Sequence, residues 1–556
     1  MLAGLSLLLP STPTYDPFAW LSWGREIASA DLDTRGGPAW KPLPVLLTTP
    51  FSLTGDAAPY LWLAVARAGG LMALVMAFRV ARRLAGGSAG IVAGVFAALA
   101  LALTSSPGLI RHTALGNSEG LLVALGLMAM ERHLAGHRRQ ALLAGFAAAL
   151  LRPEVWPFVG LYGVYLWFVE PATRWLVAGV GAAIPALWFL PELWGSGDLL
   201  RGSARAQAGD PGNPAFADQP ALEILERSFE SRAQRAGQAG ALVAVGFAVA
   251  GWVRARREAG RPHEDARPGR SRFAGRRWPS GADGAVLLLF AVALAWLAIA
   301  AVMAEAGYAG DARYLVVTVA CGAILGGVGI ARVAQWAGGW LAARAHGKGG
   351  NEGEPETARP ARAVLHLGRP ATEKQDIPPA SASRALKAEA AIALLLLIAA
   401  VPFVVPRVRE LPDVFDELQY DAALWDDAGA AIAKAGGRDA VLRCGRPYTA
   451  PYEVQLLAWE LDVPSSRIGL DPRPPGAVFR THIFRTPGSP PPRLEPDVGR
   501  TRAFRPAAAA GEWEVLTSCR SRPNGSLRSG AASGNPAAAL RRGSRTTTPF
   551  RGFRSE

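Results

Sequence analysis

Charge of either sign is scarce over long stretches of this chain, although the whole is basic. Residues 88–104, 237–253, 285–304, 314–333 and 389–406 are almost free of ionisable side chains. Several of these runs approach the ~20 residues needed to cross a bilayer, and a soluble chain of 556 residues would rarely hold so many. Cofactor motifs are missing too. No phosphate-binding loop is present, and the seven histidines show no zinc spacing. Gly327-Val328-Gly329 lacks a third glycine and lies inside an apolar run, which argues against a dinucleotide site. The apolar Leu2–Pro10 segment has neither the basic start nor the small-residue cleavage site of a signal peptide. It reads as the end of a first span, shortened by a start codon assigned too late. No internal repeat is visible.

What is present is a mainly α, polytopic transmembrane bundle. Spans are expected at about 60–80, 88–105, 118–131, 140–152, 155–169, 174–192, 237–253, 283–304, 314–333 and 389–406, which with the first makes about eleven. A net charge of +14 would suggest nucleic acid in a soluble protein. Here nine arginines fall between Arg254 and Arg277 against three acids. Smaller clusters, Arg79, Arg82, Arg83 and Arg132, Arg138, Arg139, follow two of the spans. Cytoplasmic loops carry such an excess, so nucleic acid is not expected as a partner. Alternating sides from a cytoplasmic N-terminus puts every basic cluster inside. The same count puts 11–59, 106–117, 193–236, 305–313 and everything after Pro406 outside, making this a multi-pass plasma-membrane protein with an extracytoplasmic C-terminus.

Three regions follow: a transmembrane domain over 1–406, a small extracytoplasmic α/β domain over 407–520, and an Arg/Ser/Gly-rich tail over 521–556 that reads as disordered. The inner loops 254–282 and 335–388 read the same way. An amphipathic helix is expected at 219–235. In the α/β domain the patterning predicts a helix over 412–435, a strand at Ala440–Cys444, a helix at Tyr452–Leu461, and strands at Ala477–Phe484 and Trp513–Cys519. Cys321 falls within a span, where packing is the ordinary role. Cys444 and Cys519 each end a predicted strand, and an oxidising compartment permits either a disulfide or two buried thiols.

The outer segments carry the chemistry. Residues 11–59 read as a polar, tryptophan-bearing loop with Asp16 at its start, Arg25-Glu26 in the middle and Lys41-Pro42 near its end. An acid before proline is also the pattern of a turn or helix cap. Glu119 stands at the outer start of the 118–131 span, and ionisable groups at a membrane edge are costly and often functional. Lys41, Arg152 and Arg313 map to the same outer face. His112 would share a helical face with Glu119 if 109–119 were helical, a helix that Gly116 weakens. Arg152 and Glu154 flank Pro153 and could simply pair. Asp198 could cap a turn, and Tyr314 could anchor at the interface. Trp20, Trp23 and Trp40 could stack on a sugar or form an aromatic belt.

In their order and sidedness these elements resemble the GT-C membrane glycosyltransferases that use polyprenyl-phosphate sugars, such as protein O-mannosyltransferases and the aminoarabinose transferases of lipid A modification. The matching elements are Tyr15-Asp16, Arg25-Glu26-Ile27, Lys41-Pro42, Ser118-Glu119-Gly120-Leu121, Leu151-Arg152-Pro153-Glu154, Gly197-Asp198 and Arg313-Tyr314. The resemblance covers roughly residues 1–330. Trp40 stands where some relatives place an acid, and Asp16-Pro17 is not the acid pair of protein mannosyltransferases.

The resemblance implies transfer of a mannose- or arabinose-like sugar from a polyprenyl-phosphate donor to a cell-envelope glycan, lipid or protein. A lipid phosphate is already a good leaving group, so one base suffices. Asp16 is assigned that role, with Glu119 beside it, and direct displacement predicts inversion. Lys41 can meet the phosphate as a point charge, while Arg152 and Arg313 can bind it through paired N–H groups. Tyr15, Trp20, Arg25, Glu26, His112, Asp198 and Tyr314 are candidate substrate contacts. No cofactor motif is evident, and a divalent metal ion is the one candidate, held in part by Glu119. Membrane lipids are the remaining partners. A lipid-linked substrate transporter or flippase would place charges mid-span and repeat its helices. A non-catalytic scaffold would not need Asp16.

Overall fold

In the computed structural model of this protein, residues 1–104, 108–208, 213–228, 232–259, 281–347, 379–482, 494–496 and 503–519 are described. The 521–556 tail, the centres of both inner loops and the end of the strand drawn to Phe484 lie outside them.

Long apolar runs fold as helices because a helix satisfies its own backbone groups where water is absent. Among the described residues, six helical segments are long and apolar enough to cross a membrane: Pro42–Ala85, Pro171–Ser196, Gln234–Arg257, Ala282–Glu305, Arg313–Leu341 and Leu386–Lys434. The count of about eleven is therefore not met. The expected spans at 118–131, 140–152 and 155–169 are the helices Glu119–Leu134, Arg138–Ala149 and Trp156–Val169, of 16, 12 and 14 residues. At 1.5 Å per residue these rise ~18–24 Å, short of a ~30 Å hydrocarbon core. The 16-residue Ala89–Thr104 helix is similarly short. Leu2–Pro10 contains only a four-residue helix, Leu2–Leu5, and a 3₁₀ turn.

The inner loops are also shorter than expected. Helices continue to Ala259 and Gly347 and resume at Pro379. Of the helix expected at 219–235, Pro220–Arg227 is helical, 229–231 lie outside the described residues, and 232–235 open the helix Arg232–Ala259.

The bundle core is rich in alanine and in small residues that let helices approach closely. Gly329 marks the tightest point, where an added Cβ would lie 2.0 Å from the Gly240 carbonyl oxygen. Gly327 and Gly329 thus serve helix packing. At one end, Arg79 and Arg132 both pair with the buried Glu131, so two of the basic clusters assigned to one side do meet.

The 11–59 segment is not a loop. Tyr15–Ala28 and Pro42–Phe51 are helices. Trp20, Trp23 and Trp40 are 0%, 1% and 3% exposed, so they are core residues and not a surface aromatic belt. They form a core with the C-terminal module through Trp425, Leu457 and Trp513. In that module the sheet order is β1 (Arg446–Tyr448), β2 (Gly476–His482), β5 (Trp513–Ser518), β4 (Arg505–Ala510), with β3 (Leu494–Glu495) on β2. β1 and β2 run parallel and the other pairs antiparallel.

The strand expected at Ala440–Cys444 is a helix, Arg438–Cys444. Asp439 in its first turn and Arg443 in its last complement the helix dipole. β4, with the sequence RPAAAA, carries little strand propensity and forms as an edge on β5, its Pro506 at a register shift. Cys444 and Cys519 are joined by a disulfide. Met1–Cys519 makes up one compact unit.

Candidate functional site

Asp16 lies in the first turn of the Tyr15–Ala28 helix, where a negative charge is favoured by the exposed N–H groups. Lys41 precedes the Pro42–Phe51 helix, whose Pro42 fits the first helical position. The Leu43 N–H bonds the Leu150 carbonyl at 3.1 Å, anchoring this turn beside the Leu151-Arg152 segment. As a result the Lys41 ammonium donates to Asp16 Oδ2 at 3.2 Å and stands 4.9 Å from the Trp20 ring centre. Trp20 therefore touches the site from beneath, as a buried ring under the lysine.

Arg313 enters from the 3₁₀ turn Ala312–Leu315, with Nη1 3.8 Å from Asp16 Oδ2 and Nε 3.4 Å from Asp311 Oδ2. Arg152 precedes Pro153 and is held extended, as a residue before proline prefers. Its Nη2 donates to Glu119 Oε1 and its Nη1 to Glu154 Oε1, both at 3.3 Å. The Arg152 guanidinium also lies over the Tyr314 ring, 3.9 Å from its centre, and Arg313 lies 5.4 Å from the same ring. The Trp296 indole N–H fixes that turn by donating to the Tyr314 carbonyl at 2.7 Å.

Asp16, Lys41, Glu119, Arg152, Arg313 and Tyr314 thus belong to one contact network. Three cations face four carboxylates, counting Glu154 and Asp311. Burial pushes the Asp16 carboxyl up, but the Lys41 and Arg313 cations outweigh it and hold the group below the ordinary carboxylate range. Burial lowers the Lys41 ammonium, and Asp16 only partly offsets it. Among the described residues several buried atoms have no hydrogen-bond partner: Glu119 Oε2, Glu154 Oε2, Arg152 Nε and His112 Nε2. Each such atom costs about 1–3 kcal/mol, a strain that a bound polar ligand would relieve.

The network borders a cavity of about 590 Å³. Phe96, Leu99, Leu294, Val319, Ile398 and Val401 give it apolar walls, while His112, Glu119 and Arg313 supply polar groups. The arrangement can receive a long apolar chain together with an anionic group.

Other candidates stand elsewhere. Residues 109–119 are not one helix: Leu109–Ala114 ends at a turn where Gly116 has φ +81°, and a new helix starts at Glu119. Arg25 pairs with Asp462 at 2.7 Å and lies 5.0 Å over Trp459, fastening the C-terminal module. Glu26 is buried and accepts from the Asp33 N–H at 2.9 Å, with its pKa raised by burial to about 7. Tyr15 packs, half-buried, against the core shared with the module. Asp198 is exposed and accepts from the Leu200 N–H within its own turn.

Asp311, Thr14 and Asn117 were not singled out from the sequence. Their only signal there was adjacency to Arg313, Asp16 and Glu119. Among the described residues no group of three or more His, Cys, Asp or Glu is arranged to hold a metal ion. The cations around Glu119 also oppose a divalent ion there.

No family model and no curated protein matches this chain. It is similar to two solved structures of ArnT from Cupriavidus metallidurans. One, bound to undecaprenyl phosphate, has 15% identity and a TM-score of 0.46 over 92% of this chain and 95% of that one. The other, in the apo state, has 15% identity and a TM-score of 0.48 over 93% and 95%.

Proposed function

We propose that this protein is a multi-pass plasma-membrane glycosyltransferase. It moves a mannose- or arabinose-like sugar from a polyprenyl phosphate to an extracytoplasmic glycan, lipid or protein of the cell envelope. One observation carries the reading: a half-buried carboxylate, Asp16, sits between two cations, Lys41 and Arg313, and Arg313 also lines a large apolar cavity. An anionic head on an apolar tail satisfies both halves of that site.

The chemistry follows from exchange of partners. The donor phosphate takes hydrogen bonds from Lys41, Arg152 and Arg313. That removes the cations from Asp16 and raises its basicity at the moment it is needed. Asp16 takes the proton of the acceptor hydroxyl, and the oxygen attacks the anomeric carbon. The carbon–oxygen bond to phosphate breaks, and its electron pair leaves on the polyprenyl phosphate. A single displacement inverts the anomeric centre. The C-terminal module, on the outer side in this reading, packs on the helix that carries Asp16 and fixes its place.

The test is transfer from radiolabelled polyprenyl-phosphate sugars in membranes, comparing wild type with Asp16→Asn. A loss of about 10²–10⁴-fold is expected for removal of a general base. Unchanged transfer in the variant would sink the assignment.

A further inference from the structure

His112 and Glu119 each present a buried atom, Nε2 and Oε2, with no hydrogen-bond partner among the described residues, and both side chains line the same cavity. Glu119 is 2% exposed, and it is the carboxylate that acts most strongly on the His112 imidazole.

The state of the imidazole is set by its neighbours. The Thr14 hydroxyl lies 3.2 Å from Asn117 Oδ1 and 3.4 Å from the Leu115 carbonyl. The shorter of the two contacts directs the hydroxyl to Asn117 Oδ1, which leaves the amide nitrogen on the other side of that group. The Asn117 amide nitrogen then faces His112 Nδ1 at 3.3 Å as a donor. Nδ1 must accept, which places the ring proton on Nε2. His112 and Glu119 thus offer the cavity one N–H donor and one carboxylate acceptor, beside the Arg313 guanidinium.

A phosphate oxygen could take the donor but, having no proton to give, would leave Glu119 Oε2 unsatisfied, and Arg152 and Arg313 already serve the phosphate. A hydroxyl satisfies both, accepting from the imidazole and donating to the carboxylate. The apolar walls bring a lipid-linked head group to this point, so the hydroxyl belongs to the donor.

We propose that His112 and Glu119 jointly bind one hydroxyl of the donor sugar and so set which glycosylated lipid the enzyme accepts. This rests on the glycosyltransferase reading above.

The experiment measures binding of three lipids to the full chain in nanodiscs: undecaprenyl phosphate, undecaprenyl-phosphate mannose and undecaprenyl-phosphate arabinose. Wild type should hold one sugar-bearing lipid at least about tenfold more tightly than the bare phosphate, the scale of one satisfied hydrogen-bond pair. His112→Ala should erase that preference and leave the bare lipid unchanged, which also shows that the variant is folded. His112→Gln, whose amide can donate from a similar position, should recover part of it. Because one hydroxyl is shared, the losses in His112→Ala and Glu119→Gln should not add in the double variant.

Additive losses, an unchanged preference, or equal weakening for the bare phosphate would each overturn the pairing. So would a wild type that holds neither sugar-bearing lipid better than the bare one. Failure to bind any of the three lipids would overturn the glycosyltransferase reading along with it.

Discussion

The Lys41 ammonium lies 3.2 Å from Asp16 Oδ2, joining two helix starts 25 residues apart in the chain. In a buried site, removing either member leaves the other's charge uncompensated. The two variants should nevertheless fail differently. Asp16→Asn should abolish transfer while undecaprenyl phosphate still binds, since the cations remain. Lys41→Ala should weaken binding of that lipid by about 10–100-fold, the loss of one charge-assisted hydrogen bond. Equal binding losses in both variants would contradict the division of labour between base and phosphate ligand.

Arg152 is held by geometry as well as charge: two carboxylates at 3.3 Å and the face of Tyr314 at 3.9 Å. Lysine cannot reproduce a planar fork that stacks and bonds in two directions. Arg152→Lys should therefore behave as a damaging change. The expected loss is about tenfold or more in affinity for undecaprenyl phosphate, with a Tm reduced by several degrees. Near-wild-type affinity would show that only the charge of Arg152 matters.

The membrane class and the members of the network were legible because both depend on sequence order. Apolar runs reveal the helices, and the ordered motifs name Asp16, Lys41, Glu119, Arg152 and Arg313, which the fold brings into one contact network. The tryptophans were misread because periodicity cannot say what covers an exposed-looking segment. Trp20, Trp23 and Trp40 are buried partly by Leu457 and Trp513, more than 400 residues away. Arg25 was drawn toward the substrate for the same reason, its true partner being Asp462. The RPAAAA edge strand was invisible because β5 induces it.

Stability should depend on pH through two buried carboxyls, Glu26 and Glu453. Burial raises the pKa of each to about 7. A raised carboxyl pKa means that the folded state binds more protons than the unfolded state between about 4.3 and 7. Stability should therefore be highest at the acidic end of this window. It should fall as pH rises through it and level off above about 7, with a contribution on the order of 3 kcal/mol from each group. Glu26→Gln and Glu453→Gln should each flatten the slope of Tm against pH. A slope that survives in the double variant would assign it to other groups.

The Cys444–Cys519 disulfide spans 75 residues and ties the end of the Arg438–Cys444 helix to the end of β5. Closing a loop of that size restricts the unfolded chain, typically adding about 2–4 kcal/mol. Because the module shares its core with the helix bearing Asp16, loosening it should reach the site. Reduction, or the Cys444→Ser/Cys519→Ser variant, should lower Tm by several degrees and reduce transfer by a smaller factor than Asp16→Asn. Thiol alkylation of the oxidised, denatured chain should modify Cys321 alone. Labelling of all three cysteines without reductant would show that the bond does not form.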